Sequence, residues 1–218
     1  MARRLSGSER RQQIIDAAAT LFAQKGFRGT TTREIAGAVG VSEAALFKYF
    51  RNKEDLYSAI IDAKSRTEEV LAVVSAAAAH GDDQGVFEGL ALTLIEAITQ
   101  DTTLMRLLLF SALEGHDLST IFFETRVRRV HEFLSRYIAT RITEGTFRAI
   151  DPLLAARSFV GMVIHYLLIH ELFRVKRPPQ HSTKKAVETF VTLFLGGIQL
   201  VPADGRRRKP KVSPHRQR

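Results

Sequence analysis

The chain has 218 residues, 45% of them apolar, which suits one large domain or a small domain followed by a medium one. It has no cysteine, so disulfides, thiolate metal sites and cysteine nucleophiles are excluded, and a reducing compartment, the cytoplasm, is expected. The formal net charge of +9 sits at the two ends: residues 1–60 hold 10 Lys/Arg against 6 Asp/Glu, residues 61–201 hold 15 against 16, and residues 202–218 hold 7 against 1. Basic ends on a neutral body suit a polyanion such as DNA, and they serve solubility equally well. The start, MARRLSGSERRQQ, lacks the apolar stretch of a signal peptide, and no run of about 18 apolar residues is free of charge, so no membrane partner is expected.

The first predicted helix runs from about Glu9 to Lys25, with Ile14, Ala18, Leu21 and Phe22 forming one apolar stripe. Ser6 and Glu9 have capping-box spacing, Gly26 supplies a left-handed stop, and Phe27 can fold back on the last turn. A second capping box, Thr31 with Glu34, opens a short helix that buries Ile35, Ala36 and Val39 and ends at Gly40. Val41 anchors the following turn, and Ser42 caps a third helix from about Glu43 to Phe50. Ala45, Leu46 and Phe50 face inward, while Glu43, Ala44, Phe47, Lys48 and Arg51 share the other side.

Two short helices with a tight turn between them, the second presenting an outward face, form a helix-turn-helix over residues 31–50. That outward face is built to lie in a major groove, with Phe47 placed for a thymine methyl and Lys48 and Arg51 for phosphates or a guanine edge. Glu43 has two readings, a first-turn acid that favours the helix dipole or an acceptor for cytosine N4. Asn52 caps a fourth helix, where Lys53 adds a full charge to the free N–H groups of a helix start, a spot that fits a phosphate. This helix is expected to continue through Leu56, Ile60 and Ile61 into VLAVVSAAAA and to end near His80, as a lever into the rest of the chain.

No strand pattern follows. Five helical stretches are predicted at about Gln84–Gln100, Thr102–Glu114, Leu118–Glu144, Pro152–Lys176 and Ser182–Leu200, making about nine helices and an all-α fold. The last two are apolar around most of their circumference, and a matching pair from an identical subunit would bury them as a four-helix bundle. Met105, Phe110, Phe122, Phe123, Phe133, Tyr137, Phe159 and Met162 are candidate walls of an apolar cavity, with His165 and Tyr166 as polar groups in it, although each aromatic alone is equally a core residue. His165 and His170 are five apart, which does not stack them on one helix face, so no metal site is expected. Arg126, Arg128 and Arg129 read as a solvated basic face, or as a receptor for an anionic ligand. The tail PADGRRRKPKVSPHRQR, residues 202–218, reads as disordered. No phosphate loop, GxSxG elbow or carboxylate pair marks an enzyme, and no cofactor is implied.

Residues 14–61, IIDAAATLFAQKGFRGTTTREIAGAVGVSEAALFKYFRNKEDLYSAII, resemble the TetR (tetracycline repressor) family of bacterial transcriptional regulators. The remainder resembles that family in its all-helical layout, with EGTFRAIDP leading into a long helix. The resemblance implies a DNA-binding domain over residues 1–60, a ligand-binding and dimerisation domain over 61–201, and a homodimer that usually represses. It further implies a palindromic operator as partner and an apolar or amphipathic small-molecule effector that releases it. Carried over by position, Thr31, Tyr49 and Lys53 would contact phosphate, and Ser42 through Lys48 would enter the major groove, with Thr32, Arg33 and Arg51 beside them. The family commonly has a tyrosine where this chain has Phe47, so that hydroxyl contact is missing. A protein that associates with DNA constitutively, organised by protein partners and its basic tail, is the alternative reading.

Overall fold

A computed structural model describes residues 5–200, so the basic tail from residue 202 lies outside the described part. The helices are α1 (Gly7–Lys25), α2 (Thr32–Ala38), α3 (Glu43–Leu46), α4 (Lys53–Lys64), α5 (Thr67–Ala78), α6 (Asp83–Gln100), α7 (Thr103–Leu113), α8 (Asp117–Phe122), α9 (Arg128–Thr143), α10 (Pro152–Leu167) and α11 (Thr183–Ile198). A π turn, Phe123–Val127, joins α8 to α9, and another, Leu168–Leu172, extends α10. All nine expected helical stretches are present among the described residues, where the only extended pairing is an isolated antiparallel bridge between Phe147 and Gln199.

The caps explain the helix starts. Ser6 with Glu9 and Thr31 with Glu34 both form complete capping boxes, each side chain satisfying a backbone N–H of the other residue's end. Ser42, Asn52, Asp82, Asp151 and Ser182 each accept from a first-turn N–H of the helix that follows. Gly26 takes φ +76°, and Phe27 folds back so that its ring stacks on Phe22 at 5.6 Å.

Three boundaries differ from the sequence reading. The expected long fourth helix breaks at Ser65–Arg66 into α4 and α5. Ser65 is extended (ψ 129°) and its hydroxyl bonds to the Thr67 hydroxyl at 2.8 Å, a local bond that competes with the helical ladder. Glu68 and Glu69 then favour a new helix start. The recognition helix is α-helical only over Glu43–Leu46 and tightens afterwards, since Lys48 N–H and Tyr49 N–H donate three residues back, to Ala45 and Leu46. The stretch expected to reach Lys176 ends at Leu172, where the chain turns through Arg174 at φ +56°.

Two cores form. The larger one joins α5, α6, α9, α10 and α11 around Phe87, Phe159 and Phe194, whose ring centres lie 4.8–5.1 Å apart. The smaller one gathers Ile14, Phe22, Ile35, Leu46, Phe50, Leu56 and Tyr57, and it also takes in Leu107 of α7 and Leu118 of α8. The helix that begins as α8 therefore starts in one core and, after its π turn, ends in the other with Leu134 and Ile138. One inserted residue re-phases a helix by about 100°, which lets the apolar stripe change partners there.

By length and composition Pro152–Leu172 would suffice to cross a membrane, with a mean hydropathy of 1.6. In this fold one side of it packs, with Ala155, Ala156, Phe159, Val163 and Leu167 buried against α6, α9 and α11, while Arg157 and His165 face outward.

Candidate nucleic-acid interface

The helix-turn-helix is held from beneath. Leu46 and Phe50 are fully enclosed, Ile35, Ala36 and Val39 pack on them from α2, and Ala45 and Val41 are half-buried. Burying this apolar side fixes which residues remain outside. Ser42, Glu43, Ala44, Phe47, Lys48 and Arg51 are exposed, as are Thr31 and Arg33 on the neighbouring helix. Phe47 stands 44% exposed, against 1% for Phe50 three residues on.

Several expected contacts are already engaged. Thr32 donates its hydroxyl to the Glu43 carboxylate, which ties the start of α2 to the start of α3 and gives Glu43 a structural partner. Arg51 pairs with Asp55 at 3.6 Å. Tyr49 is half-buried against the smaller core. Lys53, expected as a free cation for phosphate, is turned inward instead: its ammonium donates to the carbonyl of Phe27 and lies 4.1 Å from the centre of the Phe27 ring. Burial pushes the Lys53 ammonium below its ordinary range, against the opposing pull of Glu54, Glu114 and Glu34. Glu34 accepts from Lys25 at 2.7 Å and from Thr31, and these bonds hold its carboxyl down at about 2.

Sequence reasoning missed the residues that connect this surface to the rest. Tyr57 donates its hydroxyl to the Leu107 carbonyl at 2.7 Å, and Arg106 Nε donates to the Ala23 carbonyl at 2.9 Å. Glu114 and His116 reach the turn between α1 and α2. The one signal for Glu114 in the sequence is its place at the end of a helix otherwise read as pocket wall, and His116 lies in the break after it. Arg126 and Arg129 also do more than face solvent. Arg126 pairs with Asp62 of α4 at 2.5 Å and Arg129 with Glu68 of α5, so the two arginines bridge the break at Ser65–Arg66.

Of the ten residues expected to surround a ligand, Met105, Phe133, Tyr137, Phe159, Met162 and Tyr166 gather in or against the larger core. Phe159 is enclosed in the aromatic centre of the larger core, Phe122 packs on the smaller one, and Phe110 lies beside Gly26. Met105 and Met162 are half-buried against the larger core, and His165 and Phe123 are exposed. Only Phe133 and Tyr137 line the open cleft of about 480 Å³ between α5 and α9, with Arg136, Thr140 and Arg141. There Tyr137 and Arg141 both donate to Asp83, at 2.6 and 2.8 Å. Tyr166 packs on Phe190 and His170, and its hydroxyl has no hydrogen-bond partner among the described residues. His131, 6% exposed, likewise has neither ring nitrogen bonded among the described residues.

A small helical domain that exposes one face of a helix-turn-helix, carried on a larger helical body, defines a DNA-binding transcriptional regulator. Residues 14–60 match the model of the tetR family of bacterial regulatory proteins, and residues 86–197 match that of the AefR-like transcriptional repressor C-terminal domain. The chain belongs to the TetR family. It is 26% identical to the HTH-type transcriptional regulator YvkB of Bacillus subtilis (strain 168), over 86% of this chain and 96% of YvkB. It is 36% identical to the HTH-type transcriptional repressor KstR2 of Rhodococcus jostii (strain RHA1), but over 42% of this chain and 44% of that repressor. Its fold is similar to that of AibR solved with isovaleryl coenzyme A and operator DNA, with a TM-score of 0.63 and 23% identity over 85% of this chain and 97% of AibR.

Proposed function

We propose that the protein is a homodimeric repressor that holds a palindromic operator and is released from it by a small apolar or amphipathic effector. The observation that carries this reading is the outward side of α3 and the tightened turn after it, where Phe47 and Lys48 stand exposed over an enclosed Leu46 and Phe50. A face with that composition has no role in the protein's own packing and has the donors and apolar surface that base edges and thymine methyls take. Ala44, Phe47 and Lys48 enter the major groove, and Thr31, Arg33 and Arg51 meet the backbone.

The dimer supports itself on α10 and α11. Leu154 and Leu193 are 62% and 65% exposed, and Gly161, Gly196 and Gly197 leave room for close approach of a second helix pair. Two recognition helices must then enter successive major grooves, about 34–36 Å apart. The effector acts through its differential affinity for the DNA-competent and DNA-incompetent arrangements. That AibR was solved with isovaleryl coenzyme A supports an acylated or otherwise amphipathic effector here. Regulation of this kind places the protein in the cytoplasm with the chromosome.

The test is a mobility shift with the duplex upstream of the protein's own gene, together with light scattering of the free protein. A retarded band of a dimer is expected at low salt. No retardation at low salt, or a monomer at micromolar concentration, refutes the reading.

A further inference from the structure

The turn between α1 and α2 is gripped by the end of α7. Glu114, the C-cap of α7, accepts the N–H of Arg28 through Oε2 at 3.3 Å. Its carboxylate lies so close to Gly26 that a Cβ there would come within 2.2 Å of Oε1, so the glycine serves contact as well as conformation. His116 packs its ring on Phe27 at 4.3 Å. From the other side Lys53 donates to the Phe27 carbonyl and lies over the same ring. Lys53 and Glu114 thus share one turn, and Glu114 is among the three carboxylates whose charge acts on the ammonium. Of those three, Glu54 adjoins Lys53 in sequence and Glu34 is tied to Lys25 and Thr31, whereas Glu114 arrives from the regulatory side.

We propose that Glu114 is a positioning residue for DNA binding, which fixes the α1–α2 turn and opposes the transfer of Lys53 from the Phe27 carbonyl to a DNA phosphate. The proposal rests on the DNA-binding reading above. A phosphate is a stronger partner for an ammonium than a backbone carbonyl, and the long lysine stem can swing between them. A carboxylate on the same turn opposes that exchange through its charge, which attracts the cation and repels the phosphate within a Debye length of about 10 Å at 0.1 M salt. Movement of α7 cannot leave the turn behind, because Arg106 holds the end of α1, Tyr57 holds Leu107, and Leu107 is buried in the smaller core. An effector that shifts α7 therefore carries the α1–α2 turn and α4 with it.

The experiment uses the full chain, a mixed-sequence duplex of about 30 base pairs and the duplex upstream of its own gene, titrated by anisotropy at several salt concentrations. Glu114→Gln keeps an acceptor for the Arg28 N–H and removes the charge. It is expected to tighten both duplexes about three- to tenfold near 0.1 M salt and to steepen the slope of log K against log salt by up to about 0.9. Glu114→Ala, which also loses the bond, gains less. In a Lys53→Gln background Glu114→Gln changes neither affinity nor slope. Acetylation of Lys53 in the DNA-free protein, followed by mass spectrometry, should be faster in Glu114→Gln.

Unchanged affinity and acetylation in Glu114→Gln, or the same gain with Lys53→Gln, overturns the proposal. Coupling on the mixed-sequence duplex with no preference for the upstream one supports it while defeating the operator reading.

Discussion

Phe47 and Phe50 are three residues apart, of the same type, and have opposite consequences on truncation. A phenylalanine side chain offers about 200 Å² of apolar surface, so the 44% left exposed at Phe47 is about 90 Å². Covering that area in a groove at about 25 cal/mol per Å² is worth about 2 kcal/mol, or about thirtyfold in affinity. Phe47→Ala should therefore weaken the upstream duplex about thirtyfold and a scrambled duplex far less, with the melting temperature little changed. Phe50 is 1% exposed and lies under Arg11, whose guanidinium is 4.8 Å from its ring centre. Phe50→Ala should cost about 3–5 kcal/mol of stability and lose all DNA binding through unfolding of the small domain. The assays are thermal unfolding by circular dichroism and anisotropy on the two duplexes. Equal melting losses for the two variants, or equal weakening of both duplexes by Phe47→Ala, would refute the assignment of that face.

Other expectations test the interior. His131 is buried with Arg157 as the charge acting on it, and burial first, then Arg157, depress its pKa below 6.5. The unfolded chain then binds the proton more readily, so the contribution of His131 to stability is full above about pH 6.5 and falls as pH drops below it. His131→Phe should flatten the pH dependence of denaturant unfolding between pH 7 and 5, and an unaltered profile would count against it. Tyr57→Phe removes the bond to Leu107 and should lower stability by about 0.5–1.5 kcal/mol in urea titrations, while loosening the coupling between α4 and α7. Phe159→Ala should cost about 3–5 kcal/mol, because its ring packs between those of Phe87 and Phe194; a stable variant that merely binds a different effector would restore Phe159 to the pocket.

Much of the DNA-binding domain was legible because its signals are local. Capping boxes at Ser6 and Thr31, the left-handed Gly26 and Gly40, and the apolar spacing of Ile35, Leu46 and Phe50 all act within a few residues. The same locality placed the nine helical stretches. It failed at Ser65, where two hydroxyls outcompete a strong helical pattern. For the aromatic residues of α7 to α10, apolar periodicity says that a side is covered but not by what.

The sequence by itself determined the all-helical class, the helix-turn-helix, and which side of α3 faces out, because these follow from propensity, capping and period. Only the tertiary structure decided that Lys53 is engaged from within, that Arg126 and Arg129 bridge the α4–α5 break, and that α7 belongs to the core of the DNA-binding domain as well as its own. Such pairings join residues some 25 to 85 positions apart, as Lys53 to Phe27 and Glu114 to Arg28 do. Their partners are chosen by how whole helices pack, and no short stretch of sequence contains that information.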